Sequence, residues 1–360
     1  MEAYIAYIYV LIVAIVSCLL PYNTQKKLSI ILLLIMMLMC GFRAYDVGSD
    51  THNYVRYAID TDVSNYSWGP IYILIKNIAA LFYNSQTAFL MIMAILTYVP
   101  LIVIIVKYSE YPAISVLMYI IPVAIYFNET FNIARQSIAI VFVLYAIVMV
   151  DHYKKKIAAV LIILAFFLHP YTFISIVLFF IDKIQLTKRK VLFLLVFSAI
   201  IGMGGTLSGI QEFLNLIMIA TSDSSNDLVL KLGKYGDGYE IESGFSVVGQ
   251  LSHILPLMAL CWIGINRKTL NNIYYKMMLL GCVVTNIFVS VIFCERIAST
   301  YTIAQLLAVP YIYKTSTTFS KKIITLLLIG TALLYVYNLK GYSNLSDWTP
   351  YHSIIAEPSN

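Results

Sequence analysis

The stretch Gly41–Tyr57, GFRAYDVGSDTHNYVRY, sets five ionisable residues, Arg43, Asp46, Asp50, His52 and Arg56, between apolar runs at Leu28–Cys40 and Ala88–Val106. The second run is long enough by itself to cross a bilayer, which takes roughly 17–25 apolar residues. Ionisable groups at the mouth of a lipid-embedded bundle are costly, so a cluster of them marks a place to look for function. The stretch therefore points to a helical membrane fold and to where its chemistry would gather.

Composition agrees. Of 360 residues, 61% are hydrophobic and 12% are charged, and mean hydropathy is +0.84. Soluble domains carry about 25% charged residues. With half that fraction and apolar runs recurring along the chain, the fold class is an all-α, polytopic integral-membrane helical bundle. The formal charge of +6 comes from short Lys/Arg clusters between apolar runs. That distribution suits cytoplasmic loops. No basic helix interleaved with exposed aromatics occurs, so nucleic acid is not an expected partner. The five cysteines, Cys18, Cys40, Cys261, Cys282 and Cys294, lie in or beside apolar runs and show no CxxC spacing. They read as small packing residues, not as a disulfide framework or a zinc site. Ile15-Val16-Ser17-Cys18 loosely resembles a lipoprotein cleavage box but lacks a basic segment before it. The first run is therefore read as a retained helix with its N-terminus outward.

Spanning runs fall at about 3–20, 28–42, 86–106, 112–127, 131–150, 191–208, 246–265, 272–293, 297–313 and 322–339. Basic clusters at Lys26-Lys27, Lys107, Lys154-Lys155-Lys156, Lys188-Arg189-Lys190, Arg267-Lys268, Lys314 and Lys321-Lys322 should share the cytoplasmic face. They do so under two conditions. Trp68–Tyr83 must act as a re-entrant or interfacial helix, and Ile157–Ile181 must turn at His169-Pro170 into two short helices, since proline breaks a helix interior. About twelve crossings follow, with both termini outside. The polar segments 43–69, 128–130, 169–170, 209–245, 294–297 and 341–360 then share the outer face. Residues 209–245 form a long acidic, glycine-containing outer loop, and with no internal repeat visible, residues 1–360 read as a single integral-membrane domain.

Asn128, Asn132 and Arg135 sit at i, i+4 and i+7 and are therefore expected to share one helix face. Arg135 would then lie a turn inside an apolar helix, needing either a structural carboxylate or an anionic ligand. The planar fork of arginine suits phosphate. Cys294-Glu295-Arg296 falls at a helix end, where adjacent opposite charges either neutralise one another or serve a ligand. Arg43 ends the second helix and could simply snorkel, but three arginines at three outer helix ends suggest a shared anion. His169 is either a packing residue at a helix break or a substrate contact. Asp60-Thr61-Asp62 matches a DxD pattern weakly, with no nucleotide-binding βα unit around it. No two-histidine metal spacing occurs, so neither a metal nor another cofactor is expected. The 29 tyrosines mostly flank apolar runs as interfacial anchors, and some near the outer loops, Tyr54 among them, are suited to stack on sugar rings.

With these residues in view, the chain resembles the EpsG family of bacterial polysaccharide-synthesis proteins, grouped with the Wzy-type O-antigen and capsule polymerases. The resemblance rests on GFRAYDVGSDTHNY (41–54), Trp68-Gly69-Pro70-Ile71-Tyr72, NIARQSIAI (132–140), LAFFLHPYTF (164–173), CERIASTY (294–301) and Asp347-Trp348-Thr349-Pro350-Tyr351. Ser49 stands where the family commonly has threonine, and Pro170 after the histidine is a second departure. The resemblance implies a GT-C-like glycosyltransferase of the bacterial cytoplasmic (inner) membrane, with its active site on the periplasmic or outer side. Its donor and acceptor would be oligosaccharides linked to undecaprenyl diphosphate, in contact with membrane lipid and with a chain-length regulator as a further partner. Within that expectation, Arg43, Arg135 and Arg296 hold the diphosphate, with Asn132, Gln136 and Tyr54 as further substrate contacts. Asp50 is the first choice of general base, Glu295 and Glu129 stand behind it, and His169 orients substrate or assists. The alternatives are a lipid-linked oligosaccharide flippase and a membrane glycan ligase or acyltransferase. Transporters often carry internal repeats, and none is visible here; a ligase or acyltransferase would use the same face.

Overall fold

The computed structural model describes residues 5–62, 68–121, 126–203, 247–287, 292–341 and 351–354. Among them the protein is all-helical, apart from one isolated antiparallel bridge between Arg43 and Ser353. The helices are α1 Ile5–Ser17, α2 Tyr22–Gly41, α3 Thr51–Ile59, α4 Pro70–Ala79, α5 Ser85–Tyr108, α6 Pro112–Ile120, α7 Tyr126–Asn132, α8 Ala134–Asp151 and α9 Lys155–Leu168. A 3-10 segment, Pro170–Val177, leads into α10 Leu178–Ile181. Then follow α11 Lys188–Met203, α12 Val247–Ile263, α13 Ile273–Ile287, α14 Ile292–Thr302, α15 Gln305–Thr315 and α16 Thr318–Gly341. The expected outer loop 209–245 lies outside the described residues.

Three described helices, α2, α5 and α8, are long and apolar enough to cross a membrane. The other described helices are shorter or less apolar, so the expected count of about twelve crossings goes beyond what these elements establish. Several expected spans are subdivided, each for a local reason. The run at 112–127 stops as helix at Ile120, because Ile121 precedes Pro122 and takes an extended conformation (φ −77°, ψ 149°). The run at 131–150 breaks at Ile133 (φ −108°, ψ 50°), between α7 and α8. The run at 297–313 breaks between Thr302 and Gln305; there Gly281 of α13 packs so closely that a Cβ would lie 2.7 Å from the Thr302 nitrogen.

Side-chain contacts sort the helix ends into two groups. At one end Lys314 meets Glu110 at 2.7 Å, Tyr111 packs on Tyr313 and Tyr108 on His152. There too Tyr274 donates to Asp151, Lys155 meets Asp182 at 2.9 Å, and Lys276 donates to the Asp182 carbonyl. This is the end of the basic clusters. The Lys155–Asp182 pair also closes the segment between them into a hairpin whose tip is His169-Pro170, as the turn at that proline requires.

At the opposite end α4 begins against the tip of that hairpin, where Tyr72 donates to the Leu168 carbonyl at 3.0 Å. Lys76, further along α4, donates to the Asp60 carbonyl, and Asn84, just before α5, accepts from Tyr45 at 3.2 Å. Both ends of α4 thus stay at one end of the bundle. Ten residues rise only ~15 Å, half a hydrocarbon core, so α4 by itself is too short to span one.

Candidate functional site

The break at Ile133 organises this end of the molecule. Ending one helix and starting another inside an apolar bundle frees carbonyls that need donors from elsewhere. Arg43 serves one of them, at Phe131, and ties it to the loop. Its side chain is 1% exposed and donates through Nε to Thr51 Oγ1 (2.8 Å), through Nη1 to the Cys40 carbonyl (2.6 Å), and through Nη2 to the Phe131 carbonyl (3.4 Å). Thr51 Oγ1 in turn donates to the Val47 carbonyl at 2.6 Å. Tyr54 donates to the Asn132 carbonyl at 3.2 Å, while Asn132 Oδ1 accepts the Ser49 N–H at 3.0 Å. The stretch that opened the sequence reading thus wraps the α7–α8 junction.

Gly48 is required by this wrapping. Its φ of +98° disfavours any side chain, and a Cβ there would lie 2.6 Å from the Phe131 carbonyl oxygen. Residues 351–354 close over the same loop. Ala44 N–H donates to the His352 carbonyl, Ile354 N–H to the Phe42 carbonyl, and Tyr351 Oη to the Met39 carbonyl. His352 Nε2 lies 2.8 Å from Asp46 Oδ1. Burial pushes the Tyr351 phenol up to about 12.

The junction changes the expected geometry of Arg135. The helix face that Asn128, Asn132 and Arg135 would share does not exist across the break, and the Asn128 side chain lies outside the described residues. Arg135 is instead the second residue of α8. Its guanidinium carbon sits 4.6 Å from the Trp68 ring centroid and 5.8 Å from that of Tyr72, and its Nε makes no hydrogen bond. Among the described residues no carboxylate pairs with it. Trp68 is backed by Tyr57 at 4.1 Å and Tyr54 at 5.5 Å. Aromatic faces stabilise a guanidinium through their quadrupole without consuming its in-plane donors.

Tyr54 links these groups. Burial raises its phenol to about 12, the Asp50 carboxylate pushes the same way, and Arg135 and Arg43 oppose both. The phenol therefore stays protonated at physiological pH and remains a donor. Asp50 precedes α3 at its N-cap position, and Arg135, Arg43 and Asp50 all act on this one hydroxyl.

Other expected residues lie on surrounding elements. Glu129 is half-buried in the first turn of α7. His169 caps α9 in an extended conformation (φ −154°, ψ 115°), 5.1 Å from the Tyr171 ring, and its carbonyl accepts from the Thr172 N–H and hydroxyl. Gln136 is buried and donates to Ser299 Oγ at 2.8 Å, tying α8 to α14. Glu295 and Arg296 belong to α14, four and three residues before Ser299, but their side chains lie outside the described residues. Tyr301 of α14 donates to the Ile174 carbonyl beyond the His169 tip.

Sequence reasoning assigned no role to Trp68, Tyr72 or Ser299, which build the surroundings of Arg135 and Gln136. Five of the six motifs quoted above meet here through described contacts. The sixth, 347–351, joins through its last residue, Tyr351. No curated protein matches this chain, and no solved structure does. The sequence profile of the EpsG family matches residues 26–353, nearly the whole length, and spans all the motifs that converge on the Ile133 break. On that match the chain belongs to the EpsG family.

Proposed function

We propose that this protein is a bacterial surface-polysaccharide polymerase of the cytoplasmic membrane, joining repeat units carried on undecaprenyl diphosphate at the outer face. Membership in EpsG, a Wzy-like polymerase family, supports the reaction class. The observation that carries the reading is Arg135: a guanidinium at the start of a helix, braced by Trp68 and Tyr72, with Nε unbonded and no carboxylate partner among the described residues. A helix N-terminus adds its own partial positive charge. Together they favour a phosphate group over a neutral sugar.

In the proposed reaction an acceptor hydroxyl oxygen bonds to the anomeric carbon of the growing chain. The bond from that carbon to the diphosphate breaks, and its electron pair leaves with undecaprenyl diphosphate. Arg135, with Arg296, stabilises the charge that develops on the leaving oxygen. Asp50 takes the acceptor's proton, with Glu295 and Glu129 as the other carboxylates available for that task. Arg43 is assigned a positioning role, since its donors already serve protein acceptors. Asn132, Tyr54 and Gln136 fix the loop and helices around the diphosphate, and His169 shapes the hairpin tip beside α4.

The test uses purified protein in liposomes containing lipid-linked repeat units. Wild type should build a ladder of products; Arg135→Ala should cut the rate about 100-fold or more, as loss of one charge-stabilising donor does. Asp50→Asn should fall by a similar or larger factor. A ladder of wild-type length from both variants at normal abundance would reject these roles. A single added unit would indicate a ligase, and transbilayer movement without lengthening a flippase.

A further inference from the structure

At the basic end, away from the Ile133 break, a cavity of about 260 Å³ lies between α11 and the end of α12, lined by Lys188, Leu192, Trp262 and Ile265. We infer that it holds the headgroup of an anionic phospholipid, with one acyl chain lying along α11. The proposal stands apart from the reading of the opposite end.

Charge is the first argument. Lys188 itself lines the cavity, and further cations follow each wall closely in sequence: Arg189 and Lys190 after Lys188, and Arg267 and Lys268 after Ile265. Lys190 is engaged with the Gln185 carbonyl at 3.2 Å. The acid closest in sequence, Asp182, is already paired with Lys155 at 2.9 Å. Lys188, Arg189, Arg267 and Lys268 are exposed and make no ion pair among the described residues. Basic clusters between helices at such an end attract anionic headgroups.

Shape is the second argument. Lys188, Leu192, Val196 and Ile200 recur every fourth residue and so lie one above another on α11. The three apolar members are 40%, 49% and 62% exposed. On α12, Leu255 and Trp262, two turns apart, are 51% and 56% exposed. From Lys188 to Ile200 the rise is ~18 Å, close to the depth of one leaflet. A cationic head position continuous with an apolar stripe of that length matches an amphiphile with an anionic head, and neither a soluble anion nor a neutral lipid uses both halves.

Trp262 lines the cavity and so reports on its occupant. Full-length protein in phosphatidylcholine nanodiscs would be titrated with brominated phosphatidylglycerol or with brominated phosphatidylcholine. Trp262→Phe identifies the Trp262 share of the quenching by difference. Wild type should reach half-quenching at a several-fold lower mole fraction of the anionic lipid, since each cation is worth roughly a factor of five at an anionic surface. Lys188→Gln with Arg189→Gln, both exposed positions, should move that curve most of the way toward the neutral-lipid curve, the remainder belonging to Arg267 and Lys268. Identical curves for the two lipids in wild type would mean annular lipid only, and an unchanged double variant would remove the cations from the argument; either overturns the proposal.

Discussion

Arg43 is among the largest fully buried side chains of the described residues, and its neighbours say what its charge is for. A guanidinium in the interior is tolerated only when its donors are matched, and here they meet Thr51, Cys40 and Phe131. Arg43→Ala would leave the Cys40 and Phe131 carbonyls short of donors and should cost about 3 kcal/mol. Thermal unfolding of the detergent-solubilised protein should show a clearly lower midpoint, with polymer lost in proportion to folded protein. An Arg43→Ala protein that melts like wild type yet makes no polymer would instead put Arg43 on the substrate. Gly48→Ala, by its φ and its approach to Phe131, should cost about 1–3 kcal/mol in the same assay. The sequence made Arg43 prominent but could not reveal its partners, because main-chain acceptors carry no residue-type signal. For the same reason Trp68 read as one more aromatic near an interface, although it carries the Arg135 guanidinium.

Among the elements, the breaks that carry the site differ in how visible they are. His169-Pro170 announces its turn through the proline, and the hairpin follows. Ile133 has neither proline nor glycine beside it; the α7–α8 junction is held by Arg43, Ser49, Thr51 and Tyr54 from outside, so only the assembled structure exposes it. The hairpin makes a sharp claim about distance. A continuous helix from 155 to 182 would separate its ends by ~40 Å at 1.5 Å per residue, whereas the Lys155 ammonium touches the Asp182 carboxylate. Lys155→Cys with Asp182→Cys, in a background lacking the native cysteines, should be joined in high yield by a short bis-maleimide. Absence of that cross-link in protein shown to carry both thiols would mean the segment runs straight through.

At the scale of the whole molecule, the two groups of helix ends make a prediction about sides that composition alone could only suggest. Ser49, Tyr83 and the Arg135 neighbourhood belong to one end, through Asn132, Asn84 and Trp68. Tyr153, 90% exposed in the turn between α8 and α9, belongs to the basic end. If lysine-rich loops are retained in the cytoplasm, a membrane-impermeant maleimide added to intact spheroplasts should label Ser49→Cys and Tyr83→Cys. Tyr153→Cys should react only after permeabilisation. The Tyr83 position is the discriminating one. Were α4 a full crossing, residue 83 would emerge on the cytoplasmic side and stay protected, and every later helix would reverse direction. Outward labelling at both 49 and 83 keeps α4 in the outer interface, with Trp68 and Tyr72 against Arg135 at the depth where a lipid diphosphate sits. Labelling of 153 in intact spheroplasts, with 49 protected, would turn the molecule over and place Arg135 on the wrong side for the proposed polymerisation.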